Sequence, residues 1–446
     1  MRRGVPDNHE KEVSGRQIAR LLRERAGEQS CGWSQELTEM PKIRIQTVLA
    51  LFVGAFCLLI AAVGGLYVYT SATAPLLHPD PQNVPSVTQS APLPKWADAV
   101  QQGRQIVRAG LTEQNLPGLS VAVGVGGELV WAEGFGFADL ETRETISPDT
   151  RFRIGTASTP LTSAAVGLLV EKGRLKLDDE IQTYVPEFPK KPWPVTLRQL
   201  MGHVAGVRND GGDEGPLLSE RCERPVEGLK GFADSSLRFE PGTQYRYSSY
   251  GWILVSAAVE AAADEPFGRF MRAQIFEPLG MDSTRLDSAP EPNVGRATSY
   301  FPRFAGDPRY GPDLMRPVDY SCYAGSSAFL STPSDMVRFA MAINSGKLLQ
   351  PATVQLLQTS QRLAAGEETG YGLGWDLETA TLAGKETHLV GHDGDSLGGM
   401  VASFMTFPEY GIVVSVISNI SYADTYGLAV KIAEGFAAPG KGPAPR

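Results

Sequence analysis

Hydroxyl and imidazole side chains stand at chemically suggestive spacings in four places. Thr156 and Thr159 lie three residues apart at the head of FRIGTASTPLTSAAVGLLVEKGRL, Phe152 to Leu175, which puts both on one face of a helix, one turn apart. An alcohol at neutral pH is a weak nucleophile unless a base takes its proton. The run GDSLG, Gly394 to Gly398, has the Gly-x-Ser-x-Gly form with Ser396 at its centre and His392 four residues before. A nucleophile elbow of that form needs a strand, a sharp turn and then a helix, whereas GGMVASFMTF continues as strand, so a glycine-rich turn is expected here. His388 and His392 stand at i, i+4, but in a strand-and-turn context they do not share a helical face, and with no third ligand nearby they predict no metal site; no cofactor is expected. His203, in LMGHVAG, is expected as a buried, hydrogen-bonded group. Tyr247, in YRYSSY, suits either aromatic packing or an active-site phenol.

The elements that must position these groups follow from periodicity. WADAVQQGRQIVRAGL opens the globular part as an amphipathic helix near Trp96. GLSVAVGVGG and ELVWAEGFGFAD are β-rich runs that meet at Gly-Gly and predict a hairpin. The middle is helix-rich. YGLGWDLE, HLVGHDG, MVASFMTFP and YGIVVSVISN then read as strands, closed by a helix at ADTYGLAVKIAEGFA. The expectation is an α/β fold of the α+β kind, with one antiparallel sheet built from both ends of the chain, flanked by helices, and a helical lobe from the middle.

The 446 residues, 42% hydrophobic and 20% charged, suffice for a large core, and a net charge of -9 offers no basic field for nucleic acid. Residues 45–69, IQTVLALFVGAFCLLIAAVGGLYVY, run without a charge for long enough to cross a hydrocarbon core of about 30 Å. Residues 1–44 carry nine Lys and Arg, and the next basic residue after the apolar run is Lys95. That asymmetry predicts a single-pass anchor with the N-terminus cytoplasmic and the large domain outside, periplasmic or extracellular. The long basic region and long apolar stretch argue against a cleaved signal peptide. Residues 70–95 carry many prolines and are expected as an extended stalk that holds the domain, residues 96–437, off the bilayer; residues 438–446 are expected as a frayed tail. Cys222 and Cys322 fall in the exported part, where an oxidising compartment permits a disulfide; pairing and two separate thiols stay equally open. Small residues in the apolar run, Gly54 and Gly64 among them, suit either helix–helix approach or a lipid-facing span, so the oligomeric state stays open.

From Trp96 to Ala437 the chain resembles the serine β-lactamase-like family of class C β-lactamases, D-alanyl-D-alanine peptidases and related esterases, penicillin-binding-protein-like in its motifs. FRIGTASTPLTSAAVGLLVEKGRL resembles the nucleophile helix, VTLRQLMGHVAGV the Leu-Leu-x-His-x-Ser-Gly helix and PGTQYRYSSYGWILVSAAVE the Tyr-x-Asn segment. FLSTPSDMVRFA and GHDGDSLGG resemble later landmarks in the family's order. The resemblance implies acyl transfer through a serine ester, with a lysine three residues on as base, a tyrosine that shuttles the proton, and an oxyanion held by backbone N–H groups, one at the start of the nucleophile helix.

Placed on this chain, the nucleophile position is Thr156 and the lysine position Thr159; Tyr247 fits the tyrosine, Ser249 the asparagine, and His392 with Asp393 and Gly394 the His-x-Gly strand. No Ser-x-x-Lys occurs in the sequence. Ser326 and Ser327, in CYAGSSAF, stand where the family more often has a glycine-rich stretch. Threonine can attack, though its methyl crowds the hydroxyl, but a threonine at 159 is no base. Two readings follow. One is a catalytically impaired pseudoenzyme that binds an acyl, peptide or ester ligand, or a protein partner; the other is an acyl hydrolase using Thr156 with Tyr247 assisting. The same two positions argue against class C β-lactamase activity.

Overall fold

The computed structural model describes residues 45–209, 217, 220–287, 295–396 and 399–437. The chain divides into two compact units, the first ending at Val68 and the second beginning at Tyr69. The basic N-terminal segment and the tail from residue 438, with the expectations attached to them, lie outside the described residues.

Helix α1 (Ile45–Ala72) covers the apolar run and continues three residues past its expected end. Its Leu, Phe, Val and Ile side chains from Val48 on are exposed among the described residues, an apolar surface all round as in a helix that crosses a bilayer. Residues 70–95 do not form the expected extended stalk. Ser86–Thr88, strand β1, pairs antiparallel with the edge of the main sheet, and Pro81–Asn83 forms a 3₁₀ turn capped by Asp80. Upstream, the Asn115 side chain donates to the Pro75 carbonyl (2.8 Å) and accepts from the Leu77 N–H (2.9 Å), while His78 stacks on Phe137. Proline alone favours an extended segment, but polar partners some 40 residues away fold this one onto the domain.

The domain is organised on seven antiparallel strands. After α2 (Ala97–Glu113) come β2 (Gly118–Val125) and β3 (Glu128–Gly136); the C-terminal part supplies β4 (Asp376–Leu382), β5 (Lys385–Ser396), β6 (Met400–Phe407) and β7 (Ile412–Ser418). The spatial order is β1-β3-β2-β7-β6-β5-β4, so β2 and β7, from opposite ends of the chain, pair at the centre. Gly126 and Gly127 both take positive φ, which a two-residue turn needs to match the twist of its strands. The sheet built from both ends, with helices on its faces, is as expected from the strand order.

Helices α3 (Thr159–Glu171), α4 (Ser249–Ala263) and α5 (Pro333–Asn344) pack with the lobe against one face of the sheet. Helix α6 (Thr425–Ala437) lies with α2 on the other, where Trp96, Val107, Leu111, Leu428 and Phe436 close a second core. Cys222 and Cys322, whose pairing the sequence left open, are joined by a disulfide across 100 residues of lobe.

Candidate active site

Thr156 sits in a 3₁₀ turn, Gly155–Ser158, that runs directly into α3. The preceding FRIG segment shows what fixes it. Phe152 is buried, and Arg153 is held by Asp287 (2.6 Å) and the Val318 carbonyl (2.8 Å), while the Ile154 N–H bonds to Phe329. Gly155 takes φ 51°, a conformation that suits glycine and turns the chain so that Thr156 leads the helix. Within α3, Thr162 donates to the Gly325 carbonyl (2.8 Å) and Ser163 to the Leu373 carbonyl (2.6 Å), so the helix is tied both to the CYAGSSAF turn and to the YGLGW segment. Ser326 and Ser327 are buried in that turn.

Strand β5 crosses the Thr156 turn at a distance only glycine allows. A methyl at Gly394 would lie 2.0 Å from the Ile154 carbonyl oxygen and 2.6 Å from the Ala157 nitrogen. The Thr156 hydroxyl donates to the Asp393 carbonyl at 3.1 Å. Strand alternation puts His392 and Gly394 on this face and the Asp393 side chain on the other, where it bonds to Ser403, its cross-strand partner. Of Asp393, then, the main chain rather than the carboxyl meets Thr156. The carboxyl reaches solvent at its edge, but the protein around its remaining sides pushes its pKa up to about 6, as it does for Asp395.

His392 is buried and fully engaged. Its Nδ1 donates to the Asp393 carbonyl at 2.5 Å, and its Nε2 meets the Tyr371 hydroxyl at 2.9 Å; Asp376 stands 3.8 Å from Nδ1. Complete burial holds Tyr371 well above the ordinary phenol range, with Tyr247 and Asp376 adding to the effect. It keeps its proton at neutral pH. Thr159, 0% exposed, places its hydroxyl beside the Tyr371 oxygen without closing a hydrogen bond to it. Tyr371 was not foreseen; YGLGW was read only as strand, although an aromatic pair spaced by glycines signals close packing. Gly374 in that segment takes φ 95°, under the Trp252 ring.

His203 positions the tyrosine segment. A capping box of Thr196 and Gln199 starts the short helix Leu197–Met201, and His203 leaves it in a left-handed conformation, φ 58°. Its Nδ1 accepts from the Ser248 N–H (3.1 Å) and its carbonyl from the Arg246 N–H (2.9 Å), which brackets Tyr247. The two rings lie 4.1 Å apart, and the Tyr247 ring is 6.5 Å from that of His392. Burial drives the His203 pKa well below its usual value, with His392 adding to it, so the expected structural histidine is neutral. Burial also pushes Tyr245, beside it, up to about 12. Ser248 caps α4 by accepting from Gly251, and Ser249, 1% exposed, opens that helix as part of the wall.

Ser396 ends β5 and pairs with Met400, the first residue of antiparallel β6, so it does not lead into the helix that a nucleophile elbow requires. His388 bonds to Glu409 at the far end of β5 and takes no part in the site. A cavity of about 300 Å³ beside the disulfide, lined by Arg221, Glu223, Arg224 and Phe267 among others, is bordered by none of the site residues.

The comparisons with known proteins converge on one family. The family model described as Beta-lactamase matches residues 104–436. The human mitochondrial serine beta-lactamase-like protein LACTB is 27% identical over 76% of this chain and 80% of its own length, and penicillin-binding protein 4* of Bacillus subtilis is 27% identical over 62% of each chain. The D-amino acid amidase of Ochrobactrum anthropi has the same fold, with a TM-score of 0.62 at 22% identity over 76% of this chain and 99% of the amidase. The family model spans about three quarters of the sequence, and the chain belongs to the serine β-lactamase-like family.

Proposed function

We propose that this is a membrane-anchored member of the family whose site holds an acyl, amide or peptide ligand with little or no turnover. One observation carries the reading: the Thr156 proton is given to a peptide carbonyl, which cannot take it up. The other site protons point the same way. Tyr371 donates to His392, which donates to that same carbonyl, and Thr159 supplies an alcohol where acyl transfer needs a base. Loss of a positioned base slows such chemistry by about 10² to 10⁴. The ligand class follows from the fold's fit to acyl and amide compounds, of which the amidase is an example.

For the anchor, the apolar α1 and the basic segment before it support an inside N-terminus with the domain outside, and the Cys222–Cys322 disulfide fits an oxidising compartment.

The alternative of a slow acyl hydrolase using Thr156 has one observation in its favour: His392 Nδ1 and the Thr156 hydroxyl converge on a single carbonyl, so a local shift would bring imidazole and alcohol together. Intact-mass analysis of the full chain in detergent, after a fluorophosphonate and separately a penicillin, separates the two. The proposal expects no adduct on the natural chain and an adduct on Thr156→Ser/Thr159→Lys; an adduct on natural Thr156 overturns it. Thr156→Ser alone distinguishes the crowding methyl from the missing base.

A further inference from the structure

The chain emerging from the apolar helix is clamped by a surface hairpin. Thr73 is one residue beyond α1; its carbonyl accepts from Arg303 Nη1 at 3.0 Å and its hydroxyl from Arg303 Nη2 at 2.9 Å. Two residues later the Pro75 ring covers Gly311, which takes φ 88° and where a methyl would meet the ring at 2.8 Å. Arg303 and Gly311 belong to one hairpin, Tyr300–Pro302 paired with Pro312–Leu314. These contacts all lie within the unit that begins at Tyr69. Consecutive residues span at most about 3.6 Å, so Arg303 lies within a few ångströms of the last turn of a helix apolar enough to cross a bilayer.

The same surface carries apolar groups that a water-facing hairpin would not keep. Leu314 is 71% exposed, Leu76 is 73% and Tyr422 is 48%. Phe301 packs edge-on against Tyr422, and Phe304 against Tyr310. The same segment carries Arg303, held on Thr73, Arg309, paired with Asp307, and Arg316, which is exposed. Exposed leucines, aromatic rings and arginines are what the headgroup layer accommodates, with stems and rings in the apolar boundary and guanidiniums among phosphates.

We infer that the 300–316 hairpin, with Leu76 and Tyr422, is a lipid-contact surface that seats the domain on the bilayer its own helix spans. The inference rests on the membrane-anchor reading. The hairpin also touches the strands that carry the site. Tyr300 N–H bonds to the carbonyls of Asn419 (2.9 Å) and Gly399 (3.4 Å), and Tyr300 and Met315 crowd Gly399 in the β5–β6 connection. At the end of β5, the Asp395 carboxyl bonds to Ser421 and to the Tyr422 backbone. The hairpin is thus bonded to the connection that follows β5, the strand that carries Gly394.

The test uses the full chain with Cys31→Ser and Cys57→Ser, a nitroxide at Leu314→Cys, and vesicles of phosphatidylcholine and phosphatidylglycerol. A second label at Lys347→Cys, exposed three residues past the end of α5, reports bulk water. Power saturation should show the 314 label several-fold more accessible to oxygen, relative to a nickel chelate, than the 347 label, and Arg303→Gln should reduce that ratio. If the chain floats with the vesicles while both labels are equally aqueous, the hairpin does not touch lipid and the inference fails. If the chain does not float, the anchor reading fails and the inference with it. Leu314 is exposed, so its replacement leaves the fold intact, which circular dichroism checks.

Discussion

The head of α3 and strand β5 face each other across one site, and they differ in kind. On β5, Gly394 is fitted to the neighbouring turn to within a methyl group, and both nitrogens of His392 are engaged. On α3, the local conformation is equally well set by Arg153 and Gly155, yet the two side chains it presents are threonines, one donating to a carbonyl and one buried beside a phenol. Packing and reactivity are thus specified by separate residues. A β-lactamase-like site can keep the first while its acid–base groups are exchanged, because steric fit depends on glycines and backbone hydrogen bonds that do not touch the reacting proton.

The difference can be tested from the α3 side first. Thr156→Ser with Thr159→Lys should raise the rate of covalent labelling by about 10² to 10⁴, the range a positioned base supplies; no gain would mean that β5 lost its competence as well. Next is Gly394→Ala, whose methyl meets main chain and cannot be relieved by a side-chain rotation. A loss of about 3 kcal/mol or more in chemical denaturation is expected, at the upper end for overpacked sites, and a neutral result would show that strand and turn are not rigidly apposed. Tyr371→Phe should cost less, about 1 to 3 kcal/mol, because it leaves Nε2 of the buried His392 without its donor; an unchanged melting temperature would remove Tyr371 from the wall.

The smallest effects lie in pH dependence, and their signs oppose each other. His203 has a lowered pKa in the fold, so its contribution to stability is present above pH 6.5 and is lost as pH falls below it, when the unfolded chain binds a proton the fold refuses. Asp393 and Asp395, raised to about 6, contribute stability that is full below their unfolded value of 3.8 and lost as pH rises through 6. His203→Asn, which tolerates the left-handed conformation, should therefore gain on the natural chain as pH falls from 7 to 5. Asp395→Asn should gain on it as pH rises from 4 to 7. Parallel melting curves for either variant and the natural chain would assign the slope to other groups.

Much of this was legible in the sequence. Alternation and turn residues predicted a sheet from both ends of the chain, and the motif order placed Thr156, Thr159, Tyr247, His392 and Gly394, which the fold brings together. The same alternation, applied to HDG, would have turned the Asp393 carboxyl away from Thr156. Tyr371 was missed because its partner His392 is 21 residues off and its role rests on burial, which a local pattern does not report. The segment after the apolar helix departs from its sequence reading for a related reason: proline content describes a chain without partners, and Asn115 and Arg303 provide them.

The central pairing of β2 with β7 also sets a schedule for biosynthesis. Ser418 donates to the Gly118 carbonyl across 300 residues, so the middle of the sheet cannot close until β7 has been made. The N-terminal strands of the sheet therefore stay without their central partner while the lobe is being made. The Cys222–Cys322 bond encloses lobe residues alone, so an oxidant can lock the lobe while the sheet still lacks its C-terminal strands. The site, which needs both, is the last part of the protein to come into being.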